Sequence, residues 1–170
     1  KDTGKRFFFI HIPKTAGRFL QENFKLNGFE PEQIIWDWID GIEIAHFHRE
    51  LYQKHLNIND IKHVTIVRDP LQRYLSLKTH NYPDSENWLR PQVDYVTKET
   101  NIWKFENGFN ENFSIWLSEV LKTPMKIEEL NSDYTYNDKG QRLFLEYRDP
   151  NYEKIESTDE IENHVKSFYQ

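Results

Sequence analysis

Lys14, Arg68, Ser76 and a set of seven histidines are the side chains of this sequence suited to holding anions and moving protons. Lys14 stands in Phe7–Leu20, FFFIHIPKTAGRFL, between an apolar run and the start of a helical pattern. The run Phe7-Phe8-Phe9-Ile10, continued by His11-Ile12, is rich in aromatic and β-branched residues and predicts a buried strand. Pro13 cannot donate to a sheet ladder and ends it. After Lys14-Thr15-Ala16-Gly17, the spacing of Phe19, Leu20, Phe24 and Leu26 predicts a helix with one apolar face. Strand, tight loop and helix in that order aim free backbone N–H groups and a positive helix end at one point, where an anion is stabilised. Ala16 and Gly17 are small enough for a phosphate to approach the backbone, and Lys14 adds a mobile charge. The alternative is a plain β–turn–α unit with a surface lysine, and the G-x-x-x-x-G-K-[ST] signature is absent.

A second stretch has the same layout. Val64-Thr65-Ile66-Val67 predicts an inner parallel strand, Arg68-Asp69-Pro70 ends it, and Leu71–Thr79 predicts a helix with Pro70 in its first turn. Arg68 then lies just past the carboxyl end of a central strand, the edge where open α/β sheets bind ligands. Ser76 lies about two turns into the helix. A guanidinium and a hydroxyl converging on one group suit a phosphate monoester. Alternatively Arg68 and Asp69 cap or pair locally, and Ser76 is a helix-surface serine.

The elements that must position these residues read as one α/β domain over residues 1–170, with a mainly parallel central sheet flanked by helices. Ile42–His46 alternates like a short strand, and Phe47–Leu56 looks helical. A helix is expected around Pro91–Trp103 and another over Asn110–Leu121, with Phe113, Trp116, Leu117, Val120 and Leu121 on one side. Asn131–Gly140 is turn-rich, Arg142–Tyr147 suits a strand, and Ser157-Thr158-Asp159-Glu160 is a capping box opening a last helix to about Tyr169. The 170 residues suffice for a real core, and an aromatic share of 15% builds it on Phe, Tyr and Trp. A net charge of −6 argues against a general nucleic-acid binder, so any anion site is local. There is no cysteine, which removes disulfides and thiolate metal sites and fits a reducing compartment. No apolar run approaches the roughly 20 residues of a membrane span, and no secretory segment precedes the first strand, so a cytoplasmic location is favoured.

HIPKTAG and VRDPLQRYLS together resemble the carbohydrate sulfotransferase family, particularly the branch of heparan sulfate uronyl 2-O-sulfotransferases. HIPKTAG is similar to that family's 5′-phosphosulfate loop, and VRDPLQRYLS to its 3′-phosphate motif, R-D-P-x-x-R-x-x-S. Clear similarity covers residues 7–20 and 46–78. The resemblance implies a fold like a P-loop nucleotide kinase and a donor substrate, 3′-phosphoadenosine-5′-phosphosulfate (PAPS), used without a metal. It implies that the backbone from Lys14 through Thr15, Ala16, Gly17 and Arg18 to Phe19 holds the 5′-phosphosulfate. Lys14 would neutralise charge on the leaving oxygens, and Arg68 and Ser76 would grip the 3′-phosphate. The acceptor would be a hydroxyl of a small molecule or saccharide. Where the family has Thr and then Ser or Thr after the loop glycine, this chain has Arg18 and Phe19.

Sulfating an alcohol requires a proton acceptor, and histidine is the natural one near neutrality. The separation of His46 from Arg68, and the pattern Ala45-His46-Phe47, are similar to the family's catalytic histidine. His46 is therefore the expected base, with His48 as the alternative and a structural pair as a third. Glu50, four residues on, is placed to orient His46 if one helix carries both. His11, within the first strand, reads as a core histidine. The aromatic residues from Tyr82 to Trp103 read as core and lid, or in part as a stacking surface for sugar or adenine. No H-E-x-x-H or comparable metal spacing occurs. Two rivals come from other classes: a catalytically silent module that binds PAPS or its desulfated product, and a P-loop kinase using ATP.

Overall fold

A computed structural model of the chain describes residues 7–29, 38–39, 42–58, 60–80, 82, 85–128, 134–136, 142–144 and 155–167. Four consecutive side chains, Phe7 to Ile10, are all buried, and they form strand β1 (Phe7–Ile10). Burying each is worth about 1.5–3 kcal/mol. Successive side chains of a strand point to opposite faces. Phe7 and Phe9 accordingly enter one core cluster, while Phe8 and Ile10 enter another. A strand covered on both faces needs a continuous apolar run and not an alternating one.

Helix α1 (Gly17–Leu26) follows, then the short strands β2 (Trp38–Ile39) and β3 (Ile42–Glu43), a 3₁₀ turn (Ile44–His46) and helix α2 (Arg49–His55). Strand β4 (Lys62–Val67) leads to helix α3 (Pro70–Thr79), the single-turn helix α4 (Glu86–Leu89), a 3₁₀ turn (Gln92–Tyr95) and strand β5 (Asn101–Lys104). After helix α5 (Glu111–Leu121) come β6 (Tyr134–Tyr136), β7 (Arg142–Phe144) and helix α6 (Asp159–Ser167). The main sheet has the order β1-β4-β5, parallel throughout. β4 is its centre: Phe7 to Ile10 pair with Lys62 to Thr65, and Val64 to Val67 pair with Asn101 to Lys104. The fold is thus α/β with a small three-stranded parallel sheet. Because the strands are parallel neighbours, the chain leaves all three at the same sheet edge.

One face of the sheet packs Phe7, Phe9, Val64 and Ile66 against Leu20 and Phe24 of α1 and Phe113, Leu117 and Leu121 of α5. The other packs Phe8 and Ile10 against Ile44, Phe47, Tyr52 and Tyr95. α1 is further fastened by two asparagines one turn apart. Asn23 Nδ2 donates to the Glu128 carbonyl (3.2 Å) and its Oδ1 accepts from Glu128 N (2.8 Å). Asn27 makes the matching pair with Lys126, at 2.8 and 2.9 Å. Each amide thereby stands in for a strand neighbour.

Several sequence expectations need correction. Ile42–His46 is strand only over Ile42–Glu43. The 3₁₀ turn that follows brings Ile44 and Phe47 onto one side, since residues three apart eclipse in that geometry, and both are buried in the same cluster. Pro91–Trp103 is not a helix: it holds the Gln92–Tyr95 turn and most of β5. That strand escapes notice because one of its faces stays open: only Ile102-Trp103 is apolar, and Ile102 and Lys104 are exposed. β1 stops at Ile10, so His11 lies beyond it and not within it. Leu26 is 57% exposed and does not share the buried face of α1. Tyr134–Tyr136 is strand inside the stretch expected to be turns, and the capping residue of α6 is Thr158, whose Oγ1 accepts from Ile161 N (3.3 Å). Residues 145–147 and 168–169, assigned to a strand and to the last helix, lie outside the described residues.

Candidate functional site

The β1–α1 loop holds a backbone shape that few residues adopt. Lys14 (φ 64°) and Ala16 (φ 70°) both lie in the left-handed region, with Thr15 between them. Each such non-glycine residue costs of order 1–3 kcal/mol and persists only where its surroundings enforce it. Here buried Thr15 does so, its Oγ1 donating to the Ile12 carbonyl at 2.8 Å. Left-handed residues in such a turn aim N–H groups into a concavity of the kind that binds anions elsewhere. Ala16 is the N-cap of α1 and offers no side-chain acceptor, so the first-turn N–H groups of Gly17, Arg18 and Phe19 lack a side-chain cap. The first turn holds no acid; it holds Arg18. A cation at that end opposes the helix dipole by about 0.3–1 kcal/mol, a penalty that a bound anion reverses.

A Cβ built at Gly17 would fall on the His11 imidazole, so the glycine makes room for a buried histidine under the loop. Phe19 packs partly buried against the core with its ring 4.8 Å from Phe109, so only its backbone faces the loop.

The β4–α3 loop meets the first loop directly. Arg68 Nη1 donates to the Lys14 carbonyl at 3.3 Å, and the guanidinium stacks on Phe105, 4.4 Å from the ring centre. The Gln92 side chain holds the Arg68 backbone from both sides, Oε1 accepting from Arg68 N (2.9 Å) and Nε2 donating to Arg68 O (2.7 Å). Asp69 takes the capping role: its carboxylate accepts from Gln72 N (2.9 Å), with Pro70 in the first turn of α3. Arg73, 2% exposed, donates to three carbonyls: Pro13 (3.0 Å), Arg90 (3.0 Å) and Trp88 (2.7 Å). It ties the first loop to the segment after α3. Ser76 lies half-buried in α3, and no hydrogen bond among the described residues joins its hydroxyl to Arg68.

No protein-family model, curated protein or solved structure matches this chain. The site is therefore built from its own geometry. His46 ends the 3₁₀ turn with its ring 4.7 Å from His11 and 5.1 Å from Trp88. Trp88 in turn lies 4.2 Å from Tyr82, and Lys14 Nζ stands 5.6 Å over the Tyr82 ring. Burial pushes the His11 pKa well below the ordinary histidine value, helped by the neighbouring charges of His46, Arg18 and Lys14. His48 is buried as the N-cap of α2. Glu50 is exposed in α2, whereas His46 belongs to the preceding turn, so the four-residue helical spacing assumed for that pair does not apply.

The structure thus brings Lys14, Thr15, Ala16, Gly17, Arg18, Arg68 and His46 to one edge of the sheet. Arg73, Gln92 and Phe105, given no role from the sequence, join them, as do His11, read there as a core histidine, and Tyr82 and Trp88, read there as core and lid or as a stacking surface. Arg73 had a signal, standing five residues after Arg68 in RDPLQR; Gln92 had none. Among the described residues, no group of three or more His, Cys, Asp or Glu side chains is arranged to hold a metal ion, and no helix is long and apolar enough to cross a membrane.

Proposed function

We propose that this chain is a sulfotransferase that takes a sulfuryl group from PAPS and passes it to a hydroxyl, most naturally of a saccharide. The observation that carries the proposal is the hydrogen bond from Arg68 Nη1 to the Lys14 carbonyl. It joins two anion cradles, one at each of two adjacent parallel strand ends. A nucleotide phosphorylated at both its 5′ and 3′ positions needs two such cradles; ATP needs one. The nucleotide-kinase-like architecture belongs to the same proposal, as does a reducing compartment for a chain without cysteine.

In this scheme the backbone N–H groups from Lys14 to Phe19 receive the 5′-phosphosulfate, with Arg18 adding charge. The acceptor oxygen forms a bond to sulfur as the bond from sulfur to the 5′-phosphate oxygen breaks. Lys14 neutralises the negative charge that grows on that leaving oxygen. His46 takes the acceptor's proton. Arg68, stiffened by Gln92 and Phe105, binds the 3′-phosphate together with the Ser76 hydroxyl of α3. Placement and fixed charge then supply most of the rate, as in phosphoryl transfer.

Calorimetry with adenosine 3′,5′-bisphosphate against ATP tests the proposal. The bisphosphate is expected to bind more tightly, and Arg68→Ala to weaken it by about 1.5–3 kcal/mol, the scale of a charged hydrogen bond. ATP binding as tightly as the bisphosphate, or an unchanged affinity in Arg68→Ala, would overturn it. Transfer of label from PAPS to a saccharide separates an enzyme from a silent bisphosphate-binding module.

A further inference from the structure

We propose that Trp88 and Tyr82 form the wall against which the acceptor lies, and that the acceptor is an uncharged pyranose presenting a C–H face to them. This rests on the sulfotransferase proposal for the same site. The Trp88 ring is 5.1 Å from His46 and 4.2 Å from Tyr82, and Lys14 Nζ stands over Tyr82 at 5.6 Å. The aromatic pair therefore runs from the proton acceptor to the lysine at the leaving oxygen. A hydroxyl that gives its proton to His46 while its oxygen meets sulfur at Lys14 has to lie along that pair. Both rings are half-buried and keep part of their surface open.

The chemistry of the wall selects the ring it receives. Aromatic faces carry negative charge density and attract C–H edges more than carboxylates. The cations beside Trp88 are already engaged: Arg73 by the carbonyls of Pro13, Trp88 and Arg90, and Arg90 by Asp94 at 3.6 Å. Lys14, over the Tyr82 end of the wall, is committed to the leaving oxygen, so a carboxylate laid on Trp88 would meet mainly ring face. The wall is also fixed in advance. Trp88 O accepts from Arg73 Nη2 (2.7 Å) and Trp88 N donates to the Ser85 carbonyl (3.0 Å), so little freedom is lost on binding.

Saturation-transfer NMR on the full chain tests this with methyl pyranosides of glucose, galactose and mannose and with methyl β-glucuronide. Each is measured with and without adenosine 3′,5′-bisphosphate. At least one neutral pyranoside is expected to receive saturation on the C–H protons of one face. Its Kd is expected to rise about tenfold or more in Trp88→Ala and in Tyr82→Ala, and far less in Trp88→Phe. Circular dichroism checks the fold of each variant, and Tyr82→Ala with Trp88→Phe decides the matter if Trp88→Ala misfolds. Three results overturn the inference: no saturation of any neutral sugar in either condition, affinities unmoved by the folded variants, or tighter binding of the glucuronide. Failure of the bisphosphate to bind would instead strike the donor proposal, because the arm without it reports on the wall alone.

Discussion

Lys14 and His46 both act electrostatically on buried His11, and each has a separate task in the proposed transfer. Lys14→Ala and His46→Ala are each expected to lower turnover about 100-fold or more, the scale of lost charge stabilisation or lost general base. Calorimetry should find bisphosphate affinity nearly unchanged in His46→Ala, because the proton it takes belongs to the acceptor; a large loss would make it a binding residue. His11 makes a different prediction. Its pKa is lowered on folding, so the unfolded chain binds a proton that the native chain refuses. Stability from this group is complete above the ordinary value of 6.5 and falls as pH drops below it toward the lowered native value. Across that window the slope is at most about 1.4 kcal/mol per pH unit. Urea unfolding at several pH values should show a shallower dependence in His11→Gln than in the native chain; equal slopes would mean His11 is protonated while folded.

Arg73 belongs to the scale of elements, since it connects three of them. From α3 it reaches the loop after β1 and the segment carrying Trp88 and Arg90. Arg73→Leu leaves three carbonyls without their donors and is expected to cost about 3 kcal/mol or more. Arg73→Lys should recover only part of this, because one compact ammonium cannot span the fork of acceptors that a planar guanidinium reaches. Chemical denaturation measures both; full recovery by lysine would reduce the arginine to a plain buried charge. The same scale shows how legible the elements were. β1, β4 and the Pro70 helix announce themselves, because a strand buried on both faces requires an unbroken apolar run and because proline suits a first helical turn. β5 does not, because Ile102 and Lys104 stay exposed on its open face and no unbroken apolar run is required there.

At the scale of the whole molecule, the two loops should respond to one ligand together. Hydrogen exchange with saturating adenosine 3′,5′-bisphosphate is expected to slow the amides of residues 14–19 and 68–69 in parallel. At about 100 times Kd the ligand should add about 2.7 kcal/mol of stability. Protection of one loop alone would separate the two cradles. With an overall charge of −6, the proposed anion binding would be confined to the sheet edge that carries Lys14, Arg18 and Arg68.

The sequence alone determined that one buried strand stops short of Lys14, that another stops just before Arg68, and that both feed helices. Those features are local, written in apolar runs, proline and glycine. Only the tertiary structure decided that the two ends touch, because strand adjacency and register depend on pairing between residues some fifty positions apart. It also decided that Gly17 yields its space to His11, that Gln92 holds Arg68, and that Trp88 stands beside His46. Such contacts leave no periodic trace in a chain, since each is a meeting of single side chains from elements that only packing brings together.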